Sequence, residues 1–136
     1  MKAETFLNRL ECLDDLIENK MEELKQWESL AIGTGAMSDG ERVQTSTTGD
    51  KMSNAVIQCI ETKKMIEILS EEKKRKISVL ESLETRYYNL LHKVYVQHMT
   101  LTEAYRRCGI SKKTGSNLHK AAKESLQKKL DERNQK

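Results

Sequence analysis

The groups best suited to chemistry in this chain lie between Thr100 and Lys123. Thr100-Leu-Thr-Glu-Ala-Tyr-Arg-Arg-Cys-Gly109 is followed by Ile110 and Ser111, and Lys112, Lys113, Lys120 and Lys123 come next. Ammonium and guanidinium groups at this density pair with anions, phosphate oxygens above all. A short helix, a glycine-centred turn and a second, basic helix form a common solution for reading duplex DNA. The charge balance agrees. Arg86 to Lys136 holds 12 Lys/Arg against 4 Asp/Glu, a balance of +8. Met1 to Thr85 holds 12 against 17, a balance of −5, so the formal total of +3 conceals an acidic framework and a basic segment.

Other chemistry finds little support. Cys12, Cys59 and Cys108 are odd in number and far apart, which argues against a disulfide framework, and no C-x-x-C spacing suggests zinc. All three are expected as buried or half-buried small apolar residues, the usual fate of free cysteines. His92 and His98 lie six apart, a spacing that does not place them on one helical face, so no metal pair is expected. His119 is expected to be exposed beside the basic stretch. Gly33-Thr-Gly35 lacks the third glycine and the preceding strand of a dinucleotide site, and no P-loop is present. Catalysis needs converging groups in a sheltered pocket, and no acid–base pair or activated nucleophile stands out. The expectation is a non-enzyme without cofactor or metal.

The elements that must hold the basic segment are helical. The chain has 136 residues, no proline and six glycines, with 37% apolar and 33% charged residues. Such a chain permits long helices that bury narrow seams rather than a thick core. In residues 3–31, Phe6, Leu10, Leu13, Ile17, Leu24, Trp27 and Ala31 alternate by four and three, broken once at Lys20. Leu7, Leu16, Met21 and Leu30 widen that stripe. Residues 32–50 read as a polar, glycine-containing loop, within which Asp39 to Val43 can form an ordered turn. Residues 51–83 resume the helical period through Met52, Val56, Ile60 (or Cys59), Ile66, Leu69, Ile77, Leu80 and Leu83, with Asp50 or Ser53 as the cap. The run Lys73-Lys-Arg-Lys76 reads as a solvated face with acidic neighbours three and four residues back, or as a second strip for phosphates.

Two such seams joined by one loop predict an all-α fold: a long antiparallel helical hairpin over 1–83, followed by a small helix-turn-helix unit over 84–136. A lone hairpin buries little, so pairing of two copies into a four-helix bundle is expected. Leu83 to His98 reads as a further helix, and Thr100 or Thr102 can cap a short one ending at Arg107. Gly109 suits the left-handed backbone that ends a helix, Ile110 plugs the small core, and Ser111 can cap the basic helix. Leu118, Ala122 and Leu126 continue that helix as an apolar stripe. No apolar run approaches the roughly 20 residues of a membrane span. Glu4, Arg9 and Glu11 interrupt the N-terminal stretch where a signal peptide would be apolar. These features predict a cytoplasmic protein.

Tyr88-x-x-Leu91-x-x-x-Tyr95, Thr100-Leu101-x-Glu103-Ala104, Gly109-Ile110-Ser111 and Leu118-x-x-x-Ala122-x-x-x-Leu126 resemble the promoter-reading C-terminal domain of sigma factors. With Asp39-Gly-Glu-Arg-Val-Gln44 and Asp50-Lys-Met52 included, nearly the full chain resembles a family of short phage and prophage proteins of Gram-positive bacteria. Members begin with a helical hairpin and end in a sigma-like helix-turn-helix, and related phage proteins regulate late-gene transcription. The resemblance implies an exposed recognition front of Lys112, Lys113, Thr114, Ser116, Asn117 and Lys120. Asn117 would face an adenine edge, and the lysines guanine edges or phosphates. Arg106 and Arg107 would meet the backbone. The implied partners are double-stranded DNA and a second copy of the chain, with RNA polymerase a further candidate and no membrane. The sequence departs from the pattern at Ala104, where a larger aliphatic residue is usual. Tyr105 stands where a small residue is usual, Gly115 replaces a β-branched anchor, and Lys123 replaces a leucine. Gly115 also permits a late helix start capped by Ser116. These departures motivate an alternative: a helical homo-oligomeric interaction or assembly protein whose helix-turn-helix is degenerate and does not read DNA.

Overall fold

The computed structural model describes the backbone of residues 1–32 and 45–134, and the side chains of 1–32 and 51–133. The fold is all-α, and no strand occurs among these residues. The elements are α1 (Ala3–Ala31), α2 (Thr45–Glu81), α3 (Thr85–Leu91), a π-helical segment (His92–Val96), α4 (Leu101–Cys108) and α5 (Lys112–Asn134). None of these helices is long and apolar enough to cross a membrane.

The chain divides into two compact units, and α1 and α2 contribute to both. Unit 1 comprises Met1–Asp14 and Glu72–Lys136; unit 2 comprises Asp15–Glu71. Packing therefore divides the chain elsewhere than at 83/84. The N-terminal turns of α1 and the C-terminal turns of α2 carry their own large apolar residues into the same core as α3–α5.

In unit 1, Phe6, Leu7, Leu10 and Leu13 of α1 and Val79 and Leu80 of α2 are buried with Leu90, Leu91, Ala122, Leu126 and Leu130. Lys76 lies over the Phe6 ring at 4.4 Å from its centroid, and Arg9 Nε reaches Glu72 at 2.7 Å. As the α1 index rises the α2 index falls, so these two stretches run antiparallel. Gln127 of α5 ties down the start of α1. It accepts from the Ala3 amide at 2.7 Å and donates to the Met1 carbonyl at 3.0 Å.

The Lys73–Lys76 run has structural uses. Lys73 pairs with Asp14, and Lys76 packs on Phe6 and sits 3.8 Å from Glu72. Between α3 and α4 the chain turns through the π segment, where the Gln97 amide donates to the His92 carbonyl at 2.9 Å. His98 follows with a left-handed φ of 59°, a region that costs an L-residue about 1–2 kcal/mol. Its ring bonds Asp14 at 2.8 Å, anchoring the turn to α1.

In unit 2 the stripe on α1 follows the expected spacing: Ile17, Lys20, Leu24, Trp27 and Ala31 are half-buried, with Leu16 beside them. Leu16 widens it as expected, whereas Met21 and Leu30 do not, being exposed. Cys12, expected to be buried or half-buried, is exposed as well; Cys59 is buried and Cys108 half-buried. On α2 the expected stripe needs correction. Val56 is exposed; of the alternatives at the next turn, Ile60 is exposed and Cys59 buried. The buried or half-buried positions are Met52, Ala55, Gln58, Cys59, Thr62, Ile66, Leu69 and Ser70. Met52, Ala55, Cys59, Thr62, Ile66 and Leu69 alternate by three and four, the period of a coiled-coil seam, with Gln58 and Ser70 at its edges. Residues 45–50, expected as loop, are the first turns of α2, so neither Asp50 nor Ser53 is its cap. The expected turn at Asp39–Val43 and the Gly33-Thr-Gly35 segment lie outside the described residues.

Candidate nucleic-acid interface

The α4–turn–α5 segment is set by local chemistry at each joint. Thr100 is the N-cap of α4, its side chain accepting from the Glu103 amide at 3.2 Å. Gly109 ends α4 with φ 72° and ψ 32°. Its amide donates to the Arg106 carbonyl and that of Ile110 to the Tyr105 carbonyl, each at 3.1 Å. This pair of bonds is the Schellman arrangement, which satisfies carbonyls the helix end would otherwise orphan. Ser111 caps α5, accepting from the Thr114 amide at 3.2 Å. The late start at Ser116 does not occur: Lys112 already opens the helix, and the Gly115 amide bonds the Ser111 carbonyl at 2.7 Å.

The departures at Tyr105 and Gly115 explain one another. A Cβ added at Gly115 would lie 2.7 Å from Tyr105 Cε1 and closer still to Cδ1 and Cγ. The ring fills the space that a β-branched side chain at 115 would otherwise occupy. Tyr105 is buried with Ala104 and Leu90, and Val94, Met99, Cys108, Ile110 and Leu118 pack against this cluster. Glycine inside a helix costs about 1 kcal/mol relative to alanine, and here it admits an aromatic ring into the joint. Ala104, fully buried, belongs to the same cluster as that ring.

The six residues expected on the recognition front are all exposed: Lys112, Lys113, Thr114, Ser116, Asn117 and Lys120. The Thr114 hydroxyl is partly committed, accepting from Ser111 Oγ at 3.1 Å. Arg106 and Arg107 are exposed as well, but both clamp Glu103, at 2.5 Å and 3.1 Å. Hydrogen bonds from Arg107 and the charges of both arginines hold the Glu103 carboxyl below its ordinary value. The spacing of three and four between Glu103 and these arginines was a readable signal of the pairing.

The cations differ in what explains them. Arg106 and Arg107 sit in the last turn of α4, where positive charge complements the helix dipole. Lys112 and Lys113 open α5, whose first turn contains no acidic residue. Positive charge there opposes the dipole and costs helix stability.

Two features escaped sequence reasoning. His119 is half-buried, 3.0 Å from the Tyr95 hydroxyl and stacked on that ring at 6.0 Å between centroids. Burial, aided by the charge of Lys123, pushes the imidazole below its ordinary value. Asp14 receives Lys73 and His98 together; burial works to raise its carboxyl, but these two partners prevail and hold it low. Neither contact has a local sequence signature, because the partners are far apart in the chain. No family model, curated protein or solved structure matches this sequence.

Proposed function

We propose that the protein is a phage-derived DNA-binding regulator of transcription that reads duplex DNA through α5 and acts as a homodimer, with RNA polymerase a further candidate partner. The observation that carries this reading is the pair Lys112 and Lys113 at the exposed N-terminal turn of α5. They have no acidic counterpart in that turn and work against the helix's own dipole. An anionic partner relieves that conflict, as anions do at helix N-termini in general. Asn117 and Lys120 lie exposed on the same helix and present the groups that address base edges. Arg106 and Arg107 are the weaker contributors, because Glu103 already neutralises part of their charge.

The experiment is duplex binding across a salt series with the phage's own intergenic DNA. With about five phosphate contacts, the log–log slope is near −4.5. Lys113→Ala with Lys120→Ala weakens binding to all duplexes alike, while Asn117→Ala relaxes sequence choice. Absence of binding at low salt to every duplex sinks the reading. The second reading, a helical homo-oligomeric assembly protein whose helix-turn-helix does not read DNA, draws on the Glu103 clamp that engages both arginines. It predicts a stable oligomer and no retained DNA.

A further inference from the structure

The back of α2 in unit 2 carries large aliphatic side chains that the chain itself leaves in solvent. Ile57, Ile60, Met65 and Ile68 are between 41% and 57% exposed. They lie opposite the Ala55–Cys59–Thr62–Ile66–Leu69 seam, at heptad positions b, c, f and g when that seam takes a and d. Ile57, Ile60, Glu61, Lys64 and Ile68 follow the spacing of one helix face. Among the described residues neither Glu61 nor Lys64 forms an ion pair, so the face combines uncovered hydrocarbon with two opposite charges at its centre.

We infer that this face of α2 is an antiparallel self-association surface, in register about the point between Thr62 and Lys63. This specifies the homodimer of the reading above and rests on it for the partner. The argument is charge complementarity. In that register Ile57 meets Ile68 of a second copy, Ile60 meets Met65, and Glu61 meets Lys64. The two-fold axis repeats each contact, so two Glu–Lys pairs flank the centre. Moving the register by three, so that Ile60 meets Ile68, brings Lys64 against its own copy and Glu61 against Glu67. A parallel pairing also sets Lys64 on Lys64 and Glu61 on Glu61. Like charges facing one another across an interface are strongly disfavoured, so within the stretch Ile57–Ile68 the antiparallel register is preferred to these two alternatives. The contact ends short of Lys51 and Lys74, which the same register would set against each other. The contact covers a few helical turns, at the small end of stable interfaces, so the dimer forms with rising concentration.

The test is sedimentation velocity on the full chain over a concentration series, with circular dichroism to verify the helices. The wild type shifts from monomer to dimer. Ile60→Asp abolishes the shift. Glu61→Lys and Lys64→Glu each weaken association by about tenfold or more, because each sets like charges together twice per dimer. The double swap Glu61→Lys/Lys64→Glu restores the dissociation constant to within about threefold. A monomer at all concentrations, a dimer indifferent to Ile60→Asp, or a double swap no better than its parents overturns the inference. Measuring DNA retention on the same samples separates the claims: a monomer that still binds DNA overturns this surface and spares the DNA reading. A register-specific dimer without DNA binding does the reverse.

Discussion

The same two helices, α1 and α2, pass through both compact units and meet different fates in each. In unit 1 their large side chains leave water completely, Leu7, Leu10, Leu13 and Leu80 being at most 1% exposed. In unit 2 Ile17, Leu24 and Trp27 stay half-buried, and the buried positions of α2 are the small Ala55, Cys59 and Thr62, with Leu69 the one large side chain among the described residues. The period of the seam is alike, so period alone does not decide burial. What decides it is a third layer. Unit 1 adds α3, α4 and α5, whose buried Leu90 and Leu91, Ala104 and Tyr105, and Leu126 respectively extend the core. Two helical faces meeting alone bury one narrow stripe and leave its edges wet.

The largest expected effect tests that contrast directly. Leu126→Ala removes a fully buried side chain from unit 1 and lowers unfolding free energy by about 2–5 kcal/mol. Ile60→Ala, an aliphatic truncation in unit 2, changes it by no more than about 0.5 kcal/mol in dilute solution, where the monomer prevails. Urea titrations of both variants check the pair; similar losses would break the contrast.

The second effect belongs to the joint between α4 and α5. Gly115→Val drives a branched side chain into the Tyr105 ring and costs about 1–3 kcal/mol. Tyr105→Ala opens a cavity of its own. If the two positions share one volume, the double variant is more stable than the sum of the singles predicts, by about 0.5–3 kcal/mol. An additive result would show that the ring and the glycine are not matched.

This joint also shows what a sequence conceals. The all-α class, the α1 stripe, the turn at Gly109 and the candidate cap at Ser111 were legible, because each depends on near neighbours in the chain. Tyr105 and Gly115, taken singly, look like faults in the pattern; their fit exists only across the joint. On α2 the period placed Met52, Ile66, Leu69 and, of the pair at 59 and 60, Cys59. It missed Ala55 and Thr62, because Val56 beside Ala55 has the greater hydrophobicity and Thr62 is polar. For the basic front, the residue types and exposure were legible, whereas the Glu103 clamp lay in plain spacing and was overlooked.

Acid provides a smaller effect, again located in unit 1. Asp14 and Glu72 have carboxyls held below their ordinary values. For Glu72 the largest cause is the Arg9 hydrogen bond; for Asp14, Lys73 and His98 outweigh the opposing burial. A depressed carboxylate stabilises the fold fully above its unfolded value, about 3.9 for Asp and 4.3 for Glu. That contribution is lost as pH falls through the folded value. Stability therefore declines below about pH 4–5, and Asp14→Asn with Glu72→Gln flattens the decline. A wild-type curve and a variant curve of equal slope would remove these pairs from the account.

The smallest effect has the opposite sign from most substitutions. Lys112 and Lys113 place positive charge on the positive end of the α5 dipole. Lys112→Ala should therefore stabilise the protein by about 0.3–1 kcal/mol at low ionic strength, with the gain fading as salt screens the dipole. Arg106→Ala should do the reverse on α4, where the charge complements the helix end and pairs with Glu103. Thermal unfolding at two salt concentrations separates the two. If Lys112→Ala is stabilising in the melt and weakens the duplex in the salt series, the residue is kept at the expense of the fold. If it is neutral in both, Lys112 is a solvated surface charge, and the case for α5 as the reading helix loses its main support.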